Sequence, residues 1–303
     1  MNLERIKFIT AVILYGTIGL FLRYVSIPTE IVVMCRGIIG SVFILAYLKL
    51  TDRHINITAI KNNSLWLILS GICLGLNWGF LFAAYMHTTI AIASLCNYMA
   101  PLIVILIAPV VLHEKLDKRK LPCVFIAFVG IILVSGVWDG ATGNVSNVSG
   151  VLLGLASALC FVGIVICNRK FRDISAFDKA VVQLAVSAIT ILPYVIINNY
   201  NNYNNLSNLS NYNNINSYNT ILSWDIKSIA IILMLGIVQT GIAYCLYFSG
   251  LGSLPVQTLA ILGYLEPVVS VLCSVTFLGE SMSLVGWLGA ILILGAAVVS
   301  ECL

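Results

Sequence analysis

Apolar residues in this chain come in long blocks, with no alternation of period two and few polar interruptions. Ten blocks stand out: Ile6–Tyr24, Thr29–Leu48, Ser64–Met86, Thr89–Leu112, Leu121–Val137, Gly150–Cys167, Phe177–Ile197, Ile226–Phe248, Pro255–Leu278 and Leu284–Ser300. A helix needs about 20 such residues to cross a bilayer. Short turns carrying Gly, Pro, Asn or charge separate the blocks. The pattern predicts an all-α polytopic membrane protein of ten transmembrane helices, with almost nothing left over for a soluble domain.

Two polar stretches interrupt this rhythm. Residues 138–149, rich in Gly, Asn and Ser, divide the chain into halves of five blocks each, 1–137 and 150–303. Residues 198–225 form an Asn-rich tract, with 12 asparagines between Asn198 and Asn219. So polar a segment buries too little apolar surface to fold, which predicts a disordered outer loop.

The halves are copies. A single offset of 166 residues carries Tyr98 onto Tyr264, Pro101 onto Pro267, Leu106 onto Leu272, Leu112 onto Leu278 and Glu114 onto Glu280, without a gap. Five spans per copy is an odd number, so the second copy must enter the membrane upside down. Glu114 precedes a basic loop, whereas Glu280 sits in a charge-poor turn, as inversion requires. Inverted-topology repeats belong to secondary transporters, whose substrate sites lie near the midplane between the repeats.

Composition narrows the class further. Of 303 residues, 60% are hydrophobic and 9% charged, and the mean hydropathy is +1.03. Globular chains carry roughly a quarter charged residues. The net charge of +4 would suggest nucleic acid in a soluble chain. Here the basic residues gather on one side, in the Lys49–Lys61, Lys115–Lys120 and Arg169–Lys179 regions and at Arg5 and Lys7, while the other side holds Arg23 and Lys227. That positive-inside bias predicts both termini in the cytoplasm and no nucleic-acid partner. The first block reads as a retained span, since no small-residue cleavage site follows it. The nine cysteines make neither a CxxC nor a Cys/His cluster, so neither disulfide nor metal site is expected, and no cofactor.

Within the apolar blocks a few residues carry chemistry. Pro101 and Pro267 each remove a helix donor, freeing the carbonyls of Asn97 and Gly263, and their duplicated placement suggests a cavity-lining hinge. The blander reading is a packing kink. Of the 12 acids, only Glu266 lies deep, about 11 residues or ~17 Å into its block. Arg36 is the only base well inside a span. A charge near the bilayer centre costs at least ~2.5–3.5 kcal/mol on insertion scales, so such residues usually face a cavity and have a partner. Arg36 and Glu266 are therefore expected to bound a central cavity, either paired or holding opposite ends of a zwitterion. A structural hydrogen bond to a neighbouring helix is the competing reading for each. Asn77, Trp78, Ser94, Tyr98, Gln239, Tyr244, Gln257 and Tyr264 would supply its polar and aromatic walls, packing being the alternative. Glu114 and Glu280, at helix ends, read as termination and solvation.

These residues also resemble a family. Ala84-Tyr85, Ala91, Ala93-Ser94, Tyr98, Pro101 and Glu114, with Tyr247-Phe248, Tyr264, Glu266-Pro267 and Gly279-Glu280, plus Tyr15-Gly16 and Arg36, are similar to the EamA-type drug/metabolite transporter superfamily. The resemblance covers the chain apart from the Asn-rich tract. It implies two inverted five-helix repeats that move small molecules by alternating access; the family often has Trp where this chain has Tyr15.

The function expected is a secondary transporter or facilitator for small amphipathic metabolites such as amino acids, in the lipid bilayer of a bacterial inner membrane. No P-loop or soluble domain is present for direct ATP drive, so any coupling is to a proton or ion gradient. His54, His87 and His113 fall in loops or near span ends and no HExxH occurs, so enzyme chemistry is not expected. The rivals are a passive channel and a lipid-handling or assembly subunit.

Overall fold

The computed structural model describes residues 2–111, 118–134, 145–209, 225–251, 259 and 262–302. Every regular element among them is helical. The first half comprises α1 (Asn2–Gly16), α2 (Ile18–Leu22), α3 (Thr29–Leu50), α4 (Ile57–Asn62), α5 (Ser64–His87), α6 (Ile90–Asn97), α7 (Ala100–Val111) and α8 (Leu121–Val134). The second comprises α9 (Val145–Asn168), α10 (Ala176–Leu209), α11 (Ile226–Gly236), a π-helical turn (Ile237–Ile242), α12 (Ala243–Leu251), α13 (Leu265–Leu278) and α14 (Leu284–Cys302). Seven stretches are long and apolar enough to cross a membrane: Leu3–Leu22, Thr29–Leu50, Ser64–His87, Ile90–Ile107, Val148–Asn168, Ala176–Ile197 and Ile226–Phe248. Leu121–Val134, Leu265–Leu278 and Leu284–Ser300 are shorter apolar helices. The protein is a multi-pass integral membrane protein.

Local chemistry sets the boundaries. The Thr89 side chain accepts from Ile92 N at 3.2 Å and caps α6. Gly279, at φ +63°, ends α13 in the left-handed conformation that glycine adopts without strain. The following amide, Glu280 N, then bonds back to Ser274 O at 3.1 Å.

Two elements depart from expectation. The helix predicted to end at Ile197 continues as α10 to Leu209, into the Asn-rich tract, and 210–224 lie outside the described residues. Extending an existing helix needs only propagation, not nucleation, and asparagine is a middling helix former rather than a breaker. The duplicated helix is divided: a turn at Tyr98–Met99 separates α6 from α7, and a turn at Tyr264 precedes α13. Pro101 and Pro267 stand in the first turns of α7 and α13, where a missing N–H costs least. Both breaks fall at the same place in the repeat.

Packing follows the repeat. α5 lies against α9, and its counterpart α12 lies against α1; α6 packs on α9, and α13 on α1. α5 meets α10, while α11 and the π turn meet α3. Three contacts are made by an element with its own counterpart: α3 with α10, α6 with α13 and α8 with α14. Exchanging the halves therefore exchanges these neighbours. Large apolar side chains such as Phe125, Ile189, Leu152, Phe277 and Leu284 remain exposed, as expected of an outer surface solvated by lipid. Small residues line the helix contacts. A side chain on Gly37 would meet Leu184 O at 2.7 Å, and one on Gly75 would meet Ser187 O at 2.8 Å.

Candidate functional site

The two helix breaks and the interior ends of α1, α3, α5 and α12 converge on one polar region. Glu266 lies in the first turn of α13, where the exposed N–H groups of a helix start favour a carboxylate. It interacts electrostatically with the Tyr98 hydroxyl, at the break before α7, so the matching breaks of the two repeats come together at one acid and one phenol. Glu266 is also within electrostatic reach of Arg36, Tyr15, Tyr85, Tyr244 and Tyr247. Tyr15, Tyr98, Tyr244, Tyr247 and Glu266 are all half-buried. Tyr15 makes ring contacts with Tyr244 at 5.8 Å and Tyr247 at 6.0 Å, and Phe248 closes on both at 5.5 and 5.7 Å. These rings form one aromatic wall shared by α1 and α12.

Gly16 explains how α1 reaches this wall. A Cβ there would meet Glu266 O and Val269 Cβ, each at 2.7 Å, so α1 touches the backbone of α13 directly at the acid.

Arg36, on α3, is 1% exposed. Its guanidinium carbon sits 4.3 Å from the centre of the Trp78 ring and 5.5 Å from that of Phe82, both on α5. Its Nε donates to Thr240 Oγ1 at 3.1 Å, and among the described residues its Nη1 has no hydrogen-bond partner. It forms no ion pair with Glu266; ion pairs elsewhere join Lys7 to Glu4 and Arg23 to Glu280. Gln239 is equally buried, donating from Nε2 to Thr17 Oγ1 at 2.6 Å and leaving Oε1 without a partner.

The other candidates separate. Ser94 is buried between Tyr85 OH at 3.2 Å and Ser270 Oγ at 2.7 Å, joining α5, α6 and α13. Tyr264 is buried at the break before α13, and Trp78 covers Arg36. Asn77 faces no open space. Its Nδ2, with two hydrogens to give, lies within bonding distance of Asn97 Oδ1 at 3.1 Å, Ser157 O at 2.9 Å and Ser157 Oγ at 2.8 Å, and the Ser157 hydroxyl reaches Asn77 O at 3.0 Å and Asn97 Oδ1 at 2.8 Å. That trio locks α5, α6 and α9 together, so Asn77 serves as a helix tie. Gln257 and Glu114 lie outside the described residues. Among the described residues no three His, Cys, Asp or Glu side chains gather as metal ligands.

Two residues enter the picture only through the fold: Thr240 and Thr17 hold Arg36 and Gln239, and hydroxyls are common in apolar helices. Tyr15 and Tyr247, already named for the family resemblance, complete the ring wall. Glu280 is a further surprise. Its carboxylate receives Arg23 Nη2 at 2.8 Å, Ile90 N at 3.0 Å and the Ser274 hydroxyl. It is a junction of three segments, not merely a solvated helix end.

A membrane-embedded bundle of two matching halves, holding an acid, a base and a wall of tyrosines, has the build of a transporter. The chain belongs to the EamA-like transporter family, matching it over residues 4–136 and again over 148–301. It is thus a transporter for a small-molecule substrate. It is 23% identical over 289 residues to the uncharacterized transporter YxxF of Bacillus subtilis, covering 95% of this chain and 86% of that one. An uncharacterized transporter of Archaeoglobus fulgidus is 22% identical over 297 residues, covering 96% and 94%. YwfM of Bacillus subtilis, also an uncharacterized transporter, is 26% identical over 272 residues, covering 86% and 80%. A crystal structure 20% identical in sequence shares the fold with a TM-score of 0.64, over 98% of this chain and 97% of the other.

Proposed function

We propose that the protein is a secondary transporter or facilitator that carries small amphipathic metabolites of the amino-acid kind by alternating access. Ten spans, inverted between the halves, would place both termini in the cytoplasm of a bacterial cell. The asymmetry of basic loop residues supports that orientation. No chemical conversion of the substrate is proposed.

One observation carries the substrate reading: a base and an acid lie deep in the same bundle and are not paired with each other. A zwitterion offers a carboxylate to Arg36 and an ammonium to Glu266, with tyrosine faces for the apolar remainder. A polyanion fits poorly, because Arg36 is the only deep base.

The test is counterflow in liposomes reconstituted with the purified protein, against a panel of labelled amino acids, with Glu266→Gln and Arg36→Ala alongside. Saturable uptake of one class, lost in both variants, supports the reading. Uptake intact in both variants removes the two charges from the site. Non-saturating flux of many solutes points to a channel, and no exchange at all shifts weight to a lipid-handling or assembly role.

A further inference from the structure

We infer that Thr240 is a positioning residue: held in the π turn of Ile237–Ile242, it aims the free Nη1 of Arg36 at the carboxylate of the substrate. The inference rests on the amphipathic-substrate reading above and assigns one end of that substrate to one atom.

Three observations meet at Thr240. Its hydroxyl accepts from Arg36 Nε at 3.1 Å and donates to Leu235 O at 2.9 Å. That carbonyl lies five residues back; a threonine in a regular α-helix bonds instead to the carbonyl three or four back. The reach is the product of the widened turn, a form that appears mostly as a single turn and often at functional sites. Its methyl is fixed as well. A Cβ on Gly40, one turn beyond Arg36 on α3, would stand 2.6 Å from Thr240 Cγ2. Gly241 likewise has the Phe43 ring against it, 2.4 Å from a built Cβ. Two glycines thus bring α3 and the π turn into contact and leave Thr240 no freedom. It is 0% exposed.

Arg36 gains a direction from this clamp. With Nε committed to Thr240 and the guanidinium face lying against Trp78, the plane and rotation of the group are both set. A guanidinium has five donors, and a buried charged donor without a partner costs more than an unmade neutral bond. Aromatic faces offset part of that cost and satisfy no N–H. A carboxylate oxygen is the acceptor whose geometry suits a fixed guanidinium best. The same π turn carries a second buried orphan, the acceptor Gln239 Oε1.

The experiment compares Thr240→Val with Thr240→Ser in reconstituted liposomes. Valine keeps the methyl against Gly40 and loses the hydroxyl; serine does the reverse. Uptake is measured for labelled neutral L-amino acids and for their carboxamides, which lack the carboxylate. Wild type should prefer the acids. In Thr240→Val, KM for the acids should rise about 10- to 100-fold, the scale of one charge-assisted hydrogen bond, with KM for the amides unchanged. Thr240→Ser should stay near wild type. Equal losses in both variants, or equal losses for acids and amides, would reduce Thr240 to a packing residue and overturn the inference. Wild-type uptake without preference for acids overturns it while leaving the transporter reading intact. No uptake of any panel member overturns the amphipathic-substrate reading itself, and this inference with it. Should Thr240→Val fail to elute as a folded protein, Arg36→Lys replaces it, since lysine keeps the charge and has no Nε to be steered. The same loss of preference for acids is expected, and retained preference counts against the inference.

Discussion

Arg23 and Glu280 stand 257 positions apart in the chain and 2.8 Å apart in the structure. Arg23 follows α2 of the first repeat, and Glu280 follows α13 of the second. The same carboxylate accepts Ile90 N, the first amide of α6, so one side chain closes the ends of three segments. Arg23 adds a bond to Thr88 O at 3.2 Å, tying in the turn before α6. The arrangement predicts graded stability losses. Arg23 is about a third exposed and its ion pair is correspondingly screened, whereas the cap on α6 is sheltered. Glu280→Gln, which keeps an acceptor for Ile90 N, should cost well under 1 kcal/mol, and Glu280→Ala about 1–2 kcal/mol. Thermal unfolding in detergent checks the order. A larger loss in the Gln variant would mean the ion pair, not the cap, holds the junction.

A second prediction concerns Gly16. An alanine there would place Cβ 2.7 Å from the carbonyl oxygen of Glu266, a backbone atom that cannot rotate away. Gly16→Ala should therefore displace the start of α13, costing about 1–3 kcal/mol as overpacking does. It should lower transport more than it lowers the yield of folded protein. Trimming the neighbouring side chain with Val269→Ala removes Cγ1, at 2.9 Å, and leaves both 2.7 Å contacts, the carbonyl oxygen and the Val269 Cβ position, so the double variant should recover little uptake. Full recovery would place the obstacle at Val269 Cγ1 and free the acid from any dependence on α1.

What could be read without coordinates follows from what the membrane penalises. Charge inside an apolar block is costly, so Arg36 and Glu266 stand out from the string alone. Duplicated prolines mark the breaks at Tyr98 and Tyr264 for the same reason: few residues interrupt a helix so plainly. Thr240 and Glu280 are invisible to that logic. Threonine is cheap anywhere in a membrane helix, and no residue between Ile237 and Ile242 announces a widened turn. Glu280 resembles any acid at a helix end until positions 23, 90 and 274 are brought to it. Asn77 misleads in the opposite direction, since an amide in an apolar helix reads equally well as a cavity edge and as a tie to a neighbour. Only the presence of Asn97 and Ser157 at bonding distance decides.

Because Asn77, Asn97 and Ser157 satisfy one another, they should behave as one unit. Hydrogen bonds between membrane helices are worth about 0.6 kcal/mol on average and up to ~1.7 kcal/mol. Asn77→Ala and Ser157→Ala should each lower thermal stability by that order. The double variant should lose clearly less than the sum, as expected of partners in one network. Substrate preference should not change in any of the three. A shift in preference between amino acids and their amides would return Asn77 to the cavity.

The last prediction tests the repeat itself. Gly130 on α8 and Gly289 on α14 face each other reciprocally: a Cβ on Gly289 would lie 2.5 Å from Gly130 O, and one on Gly130 would lie 2.8 Å from Gly289 O. Each opposing atom is backbone, so neither position can yield by a rotamer change. Both helices must move apart to accept an alanine, and they carry the contact between the final spans of the two halves. Gly130→Ala and Gly289→Ala should therefore destabilise by similar amounts, about 1–3 kcal/mol each. They should also be less than additive, since the separation forced by the first already makes room for the second. Thermal unfolding of the two single variants and the double checks this. Strictly additive losses would mean the glycines act independently and that the two halves do not share a close contact there.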